Sequence, residues 1–440
     1  MNLSKSSNEE GERSIESSRS RSVTPDTVII KTITGDNLEV TLQDEENFIT
    51  SLKKSFNERH SSDVKIKVCT KTFYAHKFIL AKVSPVFNIM LCSKNWQESL
   101  QEEVTLIETE ECLEHFETFL QFFYSAKINI CVKSAIPILS LAEKYDVGSL
   151  KSLCTQYMVK HSRYLLVESA IKWYNLAHFL NIKEITMECF ANITRNTHKL
   201  LMSSEWLQLD LGLITSLLKS GDLVIESEYS LFQAILNWLH TEGRKDLYFH
   251  IEELLPLIRF SQLQKNELLL VEENSLYQDE KVKPLLDKQI QKAYRFRTLC
   301  SVPTERVLFT DEFYLPRIYL NNILGTITMC LDVSRQVVPD IVRTYVTPVP
   351  TDTLDAEWKL ACYNSDTWCI SLTPYQSALR QGETKVQAVV LIRTQENHII
   401  QVESSDVTIC TKRDNLVMRF EISNLELSRN MAVIAKTLPK

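Results

Sequence analysis

Trp96 and Glu98 stand two residues apart in the polar, acidic run SKNWQESLQEEVTL, residues 93–106. An indole two residues before a carboxylate, among side chains that prefer water, can wait on the surface as an anchor for a partner. Tryptophan is a frequent anchor in such contacts, and truncating an anchor costs about 2 kcal/mol or more. The other reading is that Trp96 turns inward to fill its own core and Glu98 is solvated.

Other reactive residue types are present without the spacing that would make them a site. Cys362, Cys369, His398 and Cys410 offer sulfur and imidazole, but the close Cys-x-x-Cys pairs of structural zinc sites are missing, and alternating strands readily bury single cysteines. No metal or cofactor is expected. The chain has eight glycines, and its closest pair, Gly212 and Gly221, is nine residues apart, so neither a G-x-G-x-x-G turn nor a glycine-rich phosphate loop fits. No G-x-S-x-G elbow or H-E-x-x-H helix occurs. His76 reads as a satisfied structural residue rather than a base. The basic-aromatic runs EGRKDLYFH and QKAYRFRT read as solvated helix faces. The expectation is a protein that is not an enzyme.

Composition bounds the partners. The 440 residues are 44% hydrophobic and 24% charged, an ordinary globular mix long enough for two to four domains. A net charge of −7 argues against a broad nucleic-acid footprint, which needs a concentrated positive field. No run approaches the roughly 18 apolar residues of a membrane span. Residues 1–25 hold eight serines, four acidic and four basic side chains and no aromatic, so a disordered tail is expected there, with a phosphorylatable SRSRSVTP as the other reading. That polar start does not read as a secretory signal, and eleven cysteines, an odd number, suit reduced thiols. A cytoplasmic protein is expected, with the nucleus also open.

These residues must be held by elements that the hydrophobic pattern announces. A short hairpin around Gly35-Asp36-Asn37 is expected first. Phe48, Leu52 and Phe56 have helical spacing, and Val64, Ile66 and Val68 alternate as a strand. KFILAKVSPVFNIML reads as helix broken near Ser84-Pro85, and EVTL as a strand. Leu113, Phe116, Leu120 and Phe123 share one helical face, as do Leu139, Ala142 and Tyr145. A small sheet clasped by helices, an α+β unit, follows. Residues 147–294 show amphipathic helices and no convincing strand, which predicts stacked helical hairpins. After Tyr294, strand-like stretches including KVQAVVLIRT and LVMRFEIS, with Leu416, Met418, Phe420 and Ile422 alternating, predict an antiparallel sandwich.

The order DVKIKV, FYAHKFILAKVSPVFNIML, EVTL, FLQFFYSAKINI and ILSLAEKYDVGSLKSLCTQYM closely resembles the BTB (POZ) domain family. Asp63-Val64, the span from Ala75 through Phe87, and Phe122, Tyr124 and Ala126 carry the match. SLLKSGDLVIESEYSLFQAILNWL resembles a BACK domain, and relatives with this arrangement end in a TRAF-like β-sandwich. The resemblance implies a tail over 1–45, a BTB/POZ domain over 46–161, an all-α BACK domain over 162–294 and the sandwich over 295–440. It further implies a homodimer, with Phe48, Leu52 and Asp63 at the dimer interface. Trp96 and Glu98 occupy the position at which many cullin-3-binding BTB proteins carry an apolar residue, any residue, then Glu. A second cullin-contact surface is implied within YLLVESAIKWYNLAHFL, whose Trp173 and Phe179 read as hairpin core. The function implied is a dimeric substrate-recognition adaptor for a cullin-3 RING ubiquitin ligase, with the C-terminal domain holding an unknown protein substrate. The alternative is a BTB-mediated scaffold, transcriptional or cytoskeletal, that binds no cullin.

Overall fold

A computed structural model describes residues 43–241, 246–300, 309–329, 341–351, 353–364, 367–379, 382–422 and 429–439. The expected serine-rich tail over 1–25 and the hairpin around Gly35 lie outside these residues, as does part of EGRKDLYFH. The chain divides into two compact units. One holds the residues up to Val83 with Phe87–Glu108 and Glu117–Ile128; the other holds Ser84–Val86, Thr109–Phe116 and Asn129–Lys440.

The first unit is built on a three-stranded sheet. Strands β1 (Val64–Val68) and β2 (Lys71–Ala75) form a hairpin, and β3 (Glu103–Leu106) runs parallel to β1 on its other side. Val64, Ile66 and Val68 point into the core, joined by Phe73 and Ala75 of β2 and Val104 of β3. Cys69, in the hairpin turn, takes a left-handed conformation at φ 52°. The helix after β2 spans Lys77–Val83 and a second spans Pro85–Cys92; the break falls at Ser84, as the disfavoured helical geometry before proline requires. The expected N-terminal helix is present as Glu45–Ser55, but Phe56 lies beyond it in extended geometry, its ring against Tyr124 at 5.3 Å. No residue of this helix is buried.

The second unit opens with the helices Val132–Lys144 and Gly148–His161, followed by Val167–Phe179, Lys183–Arg195, Leu211–Lys219, Glu228–Leu239 and Lys283–Leu299. Leu139, Ala142 and Tyr145 are buried as their spacing predicts. One strand interrupts the helical block, contrary to the sequence pattern. Strand β4 (Val224–Ile225) pairs in parallel with β5 (Ile318–Tyr319), a partner 94 residues later in register with it. Two residues with a distant partner leave no periodicity to read.

Two antiparallel sheets follow, from β6 (Ile323–Met329), β7 (Ile341–Thr344), β8 (Ala356–Asn364), β9 (Trp368–Pro374), β10 (Thr384–Thr394), β11 (Ile399–Ser404), β12 (Thr408–Cys410), β13 (Leu416–Phe420) and β14 (Arg429–Thr437). One sheet has the order β11-β10-β14-β6 with β12 also on β10; the other has the order β13-β9-β8-β7. They face each other across one core, with Trp358, Leu360, Ile370 and Leu372 on one side and Val386, Val390, Met431 and Val433 on the other. The outer face of the first sheet, through Val389, Leu391, Ala432 and Ile434, packs on Val224 and Ile318. Sheet and helical block thus share a second core.

Polar groups lock this packing. The Asn196 side chain donates to the Ile399 carbonyl and accepts from the Ile399 N–H, both at 2.9 Å, so one amide satisfies both backbone groups of a strand residue. Glu228, fully buried, accepts from Arg317, from the Tyr319 hydroxyl at 2.8 Å and from the Arg259 backbone N–H at 3.0 Å.

Candidate protein-interaction surface

Trp96 sits where the helix Pro85–Cys92 gives way to β3. The chain turns at Ser93, whose carbonyl accepts from the Trp96 N–H, and Gln97–Leu100 then form one 3₁₀ turn. The Trp96 carbonyl accepts from both the backbone N–H and the hydroxyl of Ser99, at 3.2 and 2.7 Å. Lys77, at the start of its own helix, donates its ammonium to the Ser99 carbonyl at 2.9 Å. At the far end the Glu102 carbonyl accepts from the Lys65 N–H at 2.7 Å, which joins the loop to β1. The backbone is therefore held while the indole stays 47% exposed, with Glu98 half-buried beside it. Of the two readings for Trp96, the surface one describes this structure. Leu100 and Ile107, each at least 85% exposed, add apolar surface in the same unit.

The residues assigned to a dimer interface divide into two kinds. Phe48 is 64% exposed and Leu52 half-buried on a helix that buries nothing, so its apolar face lacks a partner within the described chain. Asp63 is exposed rather than buried. Its carboxylate accepts from the Lys77 N–H at 2.7 Å, supplying an acceptor to the first turn of the helix Lys77–Val83, where backbone N–H groups otherwise go unpaired. That is a capping role. His76 is satisfied as expected: Nδ1 lies 3.0 Å from the Tyr124 hydroxyl and Nε2 3.3 Å from Ser61 Oγ. Burial pushes the Tyr124 phenol up to about 12, which keeps it a hydrogen-bonding hydroxyl.

In the second unit, an open groove runs between Glu111, Glu114 and His115, the start of the helix Val132–Lys144, and Ser169–Asn175. Trp173 is 1% exposed and forms part of the groove floor, as hairpin core should. Phe179 departs from expectation: it ends its helix 84% exposed. Its position after three inward turns gave no sign of this, because a last-turn residue escapes packing when the chain leaves through Leu180 and Asn181, the latter left-handed at φ 57°.

Cys362, Cys369, Cys410 and His398 are each buried in the C-terminal part, and no group of three or more metal-ligating side chains occurs among the described residues. Burial pushes the Cys362 thiol up to about 12, the condition of a structural cysteine. No helix among the described residues is long and apolar enough to cross a membrane.

Residues 52–162 match the BTB/POZ domain family and residues 170–272 the BACK family, described as BTB And C-terminal Kelch. The chain is similar to BTB/POZ domain-containing protein 17 of Xenopus tropicalis, 27% identical over 303 residues that make up 66% of this chain and 62% of that protein. The human protein of the same name is 25% identical over 65% of this chain and 59% of its own length. Human Kelch-like protein 11 is 26% identical over 45% of this chain and 28% of its own length. The chain thus spans less than two thirds of these relatives. Among solved structures, the BTB domain of zebrafish PATZ1 aligns at 21% identity over 27% of this chain and 95% of that one, with a TM-score of 0.22.

Proposed function

We propose that this chain, which carries a BTB/POZ domain followed by a BACK domain, is a dimeric, non-enzymatic adaptor that recruits substrate to a cullin-3 RING ubiquitin ligase. The observation that carries the reading is the exposure of Trp96 on a loop whose backbone is pinned by Lys77 and Lys65. An anchor residue held in place before binding loses little freedom on association, so its buried area converts efficiently into affinity. Glu98 stands beside it to accept hydrogen bonds from the cullin. The groove beside Trp173 is a second place for cullin contact, and the uncovered face of the Glu45–Ser55 helix supports a homodimer built on Phe48 and Leu52. The C-terminal sheets, read as a TRAF-like sandwich, hold the substrate. The adaptor transfers no ubiquitin; it raises the effective concentration of substrate lysines near the ligase, and a dimer adds avidity of about 10²–10⁴ if both copies engage. A cytoplasmic location belongs to the same reading.

The test is binding of the full chain to the cullin-3 N-terminal domain, wild type against Trp96→Ala and Glu98→Arg, after circular dichroism and sedimentation establish that the variants stay folded and keep the wild-type oligomeric state. The expected result is wild-type binding weakened at least thirtyfold by Trp96→Ala, in line with the cost of removing an anchor. No wild-type binding would overturn the reading and put the cullin-independent scaffold in its place.

A further inference from the structure

Lys436 is an anomaly of its strand. Along β14, Ala432 and Ile434 point outward into the apolar contact with Val224 and Ile318, and Lys436 is the next residue on that face. A lysine there ends 7% exposed. Lysine is almost never this deeply buried unless paired. Yet no described residue forms a hydrogen bond or ion pair with its ammonium, which carries three donors. The pairing of β14 with β6 ends at Ile434 opposite Ile323, and beyond that point no described strand pairs with this flank of β14. Lys436 lines a small cleft there, where β7 ends and β6 begins. Both of those strands are sheet edges among the described residues.

The cleft has a definite chemistry. Among the described residues its lining contains no carboxylate, and its cations are Lys436 and Arg343. Arg343 is committed to Glu357 at 3.0 Å, whereas Lys436 forms no ion pair with a described residue. Asn321 and Asn322 line it, with no side-chain hydrogen bond to a described residue, and Pro316, Pro348, Tyr345 and Leu354 line it as well. Burial, with Arg259 also opposing the charge and Asp222 supporting it, pushes the Lys436 amine down to about 8, so it still bears its proton at neutral pH. One available cation suits a singly charged carboxylate. A phosphoryl group, at about −1.5 to −2, usually recruits several arginines.

We propose that this cleft binds a carboxylate carried by an acidic side chain of an extended peptide, with Lys436 receiving the charge and Asn321 and Asn322 bonding the peptide main chain. Edge strands flanking a pocket are a common setting for extended peptides, in which main-chain bonds give affinity and a pocket gives specificity. The proposal deepens the adaptor reading and rests on it, since the peptide would belong to the substrate held by the C-terminal sheets.

The experiment uses the full chain and fluorescence anisotropy with acetylated, amidated octapeptide pools carrying a central Glu, against identical pools carrying Gln, and with sodium acetate as a free anion. The expected result is that Glu pools bind at least tenfold tighter than Gln pools, that Lys436→Met abolishes the difference, and that Lys436→Arg retains part of it. Should Lys436→Met fail to fold, the paired change Asn321→Ala with Asn322→Ala is expected to weaken Glu-pool binding at least fivefold. Equal binding of the two pools, an unaffected Lys436→Met, or no peptide binding at all would overturn the proposal. Acetate binding without peptide binding would overturn the peptide and leave a free-anion site. Cullin-3 binding measured on the same preparation separates the two claims: if it persists without peptide binding only the cleft fails, and if peptide binds without cullin only the adaptor reading fails.

Discussion

Arg317 and Glu228 meet at 3.2 Å although 89 residues separate them, with side chains 1% and 0% exposed. Arg317 also donates to the carbonyls of Leu218 and Leu257, at 2.5 and 2.9 Å, and Arg259 donates to the Leu315 carbonyl at 2.9 Å. The strap that carries β5 is thereby stitched to three segments of the helical block.

Removing one member of this pair leaves a buried charge without its partner. Glu228→Gln and Arg317→Met are each expected to destabilise the second unit by about 3–5 kcal/mol. The double variant should recover part of that loss, because the uncompensated charge disappears with the second change. Urea unfolding of the single and double variants checks this; additive losses would count against the pair acting as a unit.

The contact between the Lys183–Arg195 helix, its continuation through Lys199 and the β10–β11 turn is expected to be sensitive to acid. Burial, with Lys199, His398 and Arg393 nearby, pushes His198 down to about 4, and burial also lowers His398, which faces Lys199, Arg195 and the opposing Glu168. Free histidine titrates near 6.5, so between about pH 6.5 and 4 the unfolded chain binds more protons than the folded one. Stability is therefore expected to fall as the pH drops through that window. Thermal unfolding followed against pH should show a shallower decline there for the double change His198→Gln with His398→Gln.

Cysteine reactivity should follow burial. Cys131 is exposed, and hydrogen bonds from the Ser134 side chain and backbone lower its thiol, whereas burial pushes Cys154 and Cys189 up to about 12. Cys131 is expected to be alkylated first in the native protein, and Cys154 and Cys189 only on unfolding. Mass spectrometry of a timed iodoacetamide reaction checks this; early labelling of Cys154 would contradict the packing described.

The apolar face of Glu45–Ser55 should be consumed by association. Phe48→Asp with Leu52→Asp is expected to convert a dimer to monomer in sedimentation velocity, without loss of the β1–β3 sheet, since no residue of that helix is buried in the single chain. An unchanged sedimentation coefficient would remove these residues from the interface.

Much of the architecture follows from local pattern. Alternation at Val64, Ile66 and Val68 and at Leu416, Met418 and Phe420 announces strands buried on one face, and Pro85 marks a helix break. The same reasoning overlooks β14, whose run Met431-Ala432-Val433-Ile434-Ala435 is buried throughout. A strand covered on both faces does not alternate, and the apolar run alone cannot be told from a helix segment.

What the sequence determined by itself was element type wherever one face meets water, the absence of the common catalytic motifs, and the identity of the pair Trp96 and Glu98. Only tertiary structure decided which way Trp96 points, that Phe179 stays outside, that Asp63 caps a helix, and that Glu228 finds Arg317. The physical reason is range. Periodicity records how a residue sits relative to its own helix or strand, whereas exposure and pairing depend on chain segments that fold back from tens or hundreds of residues away.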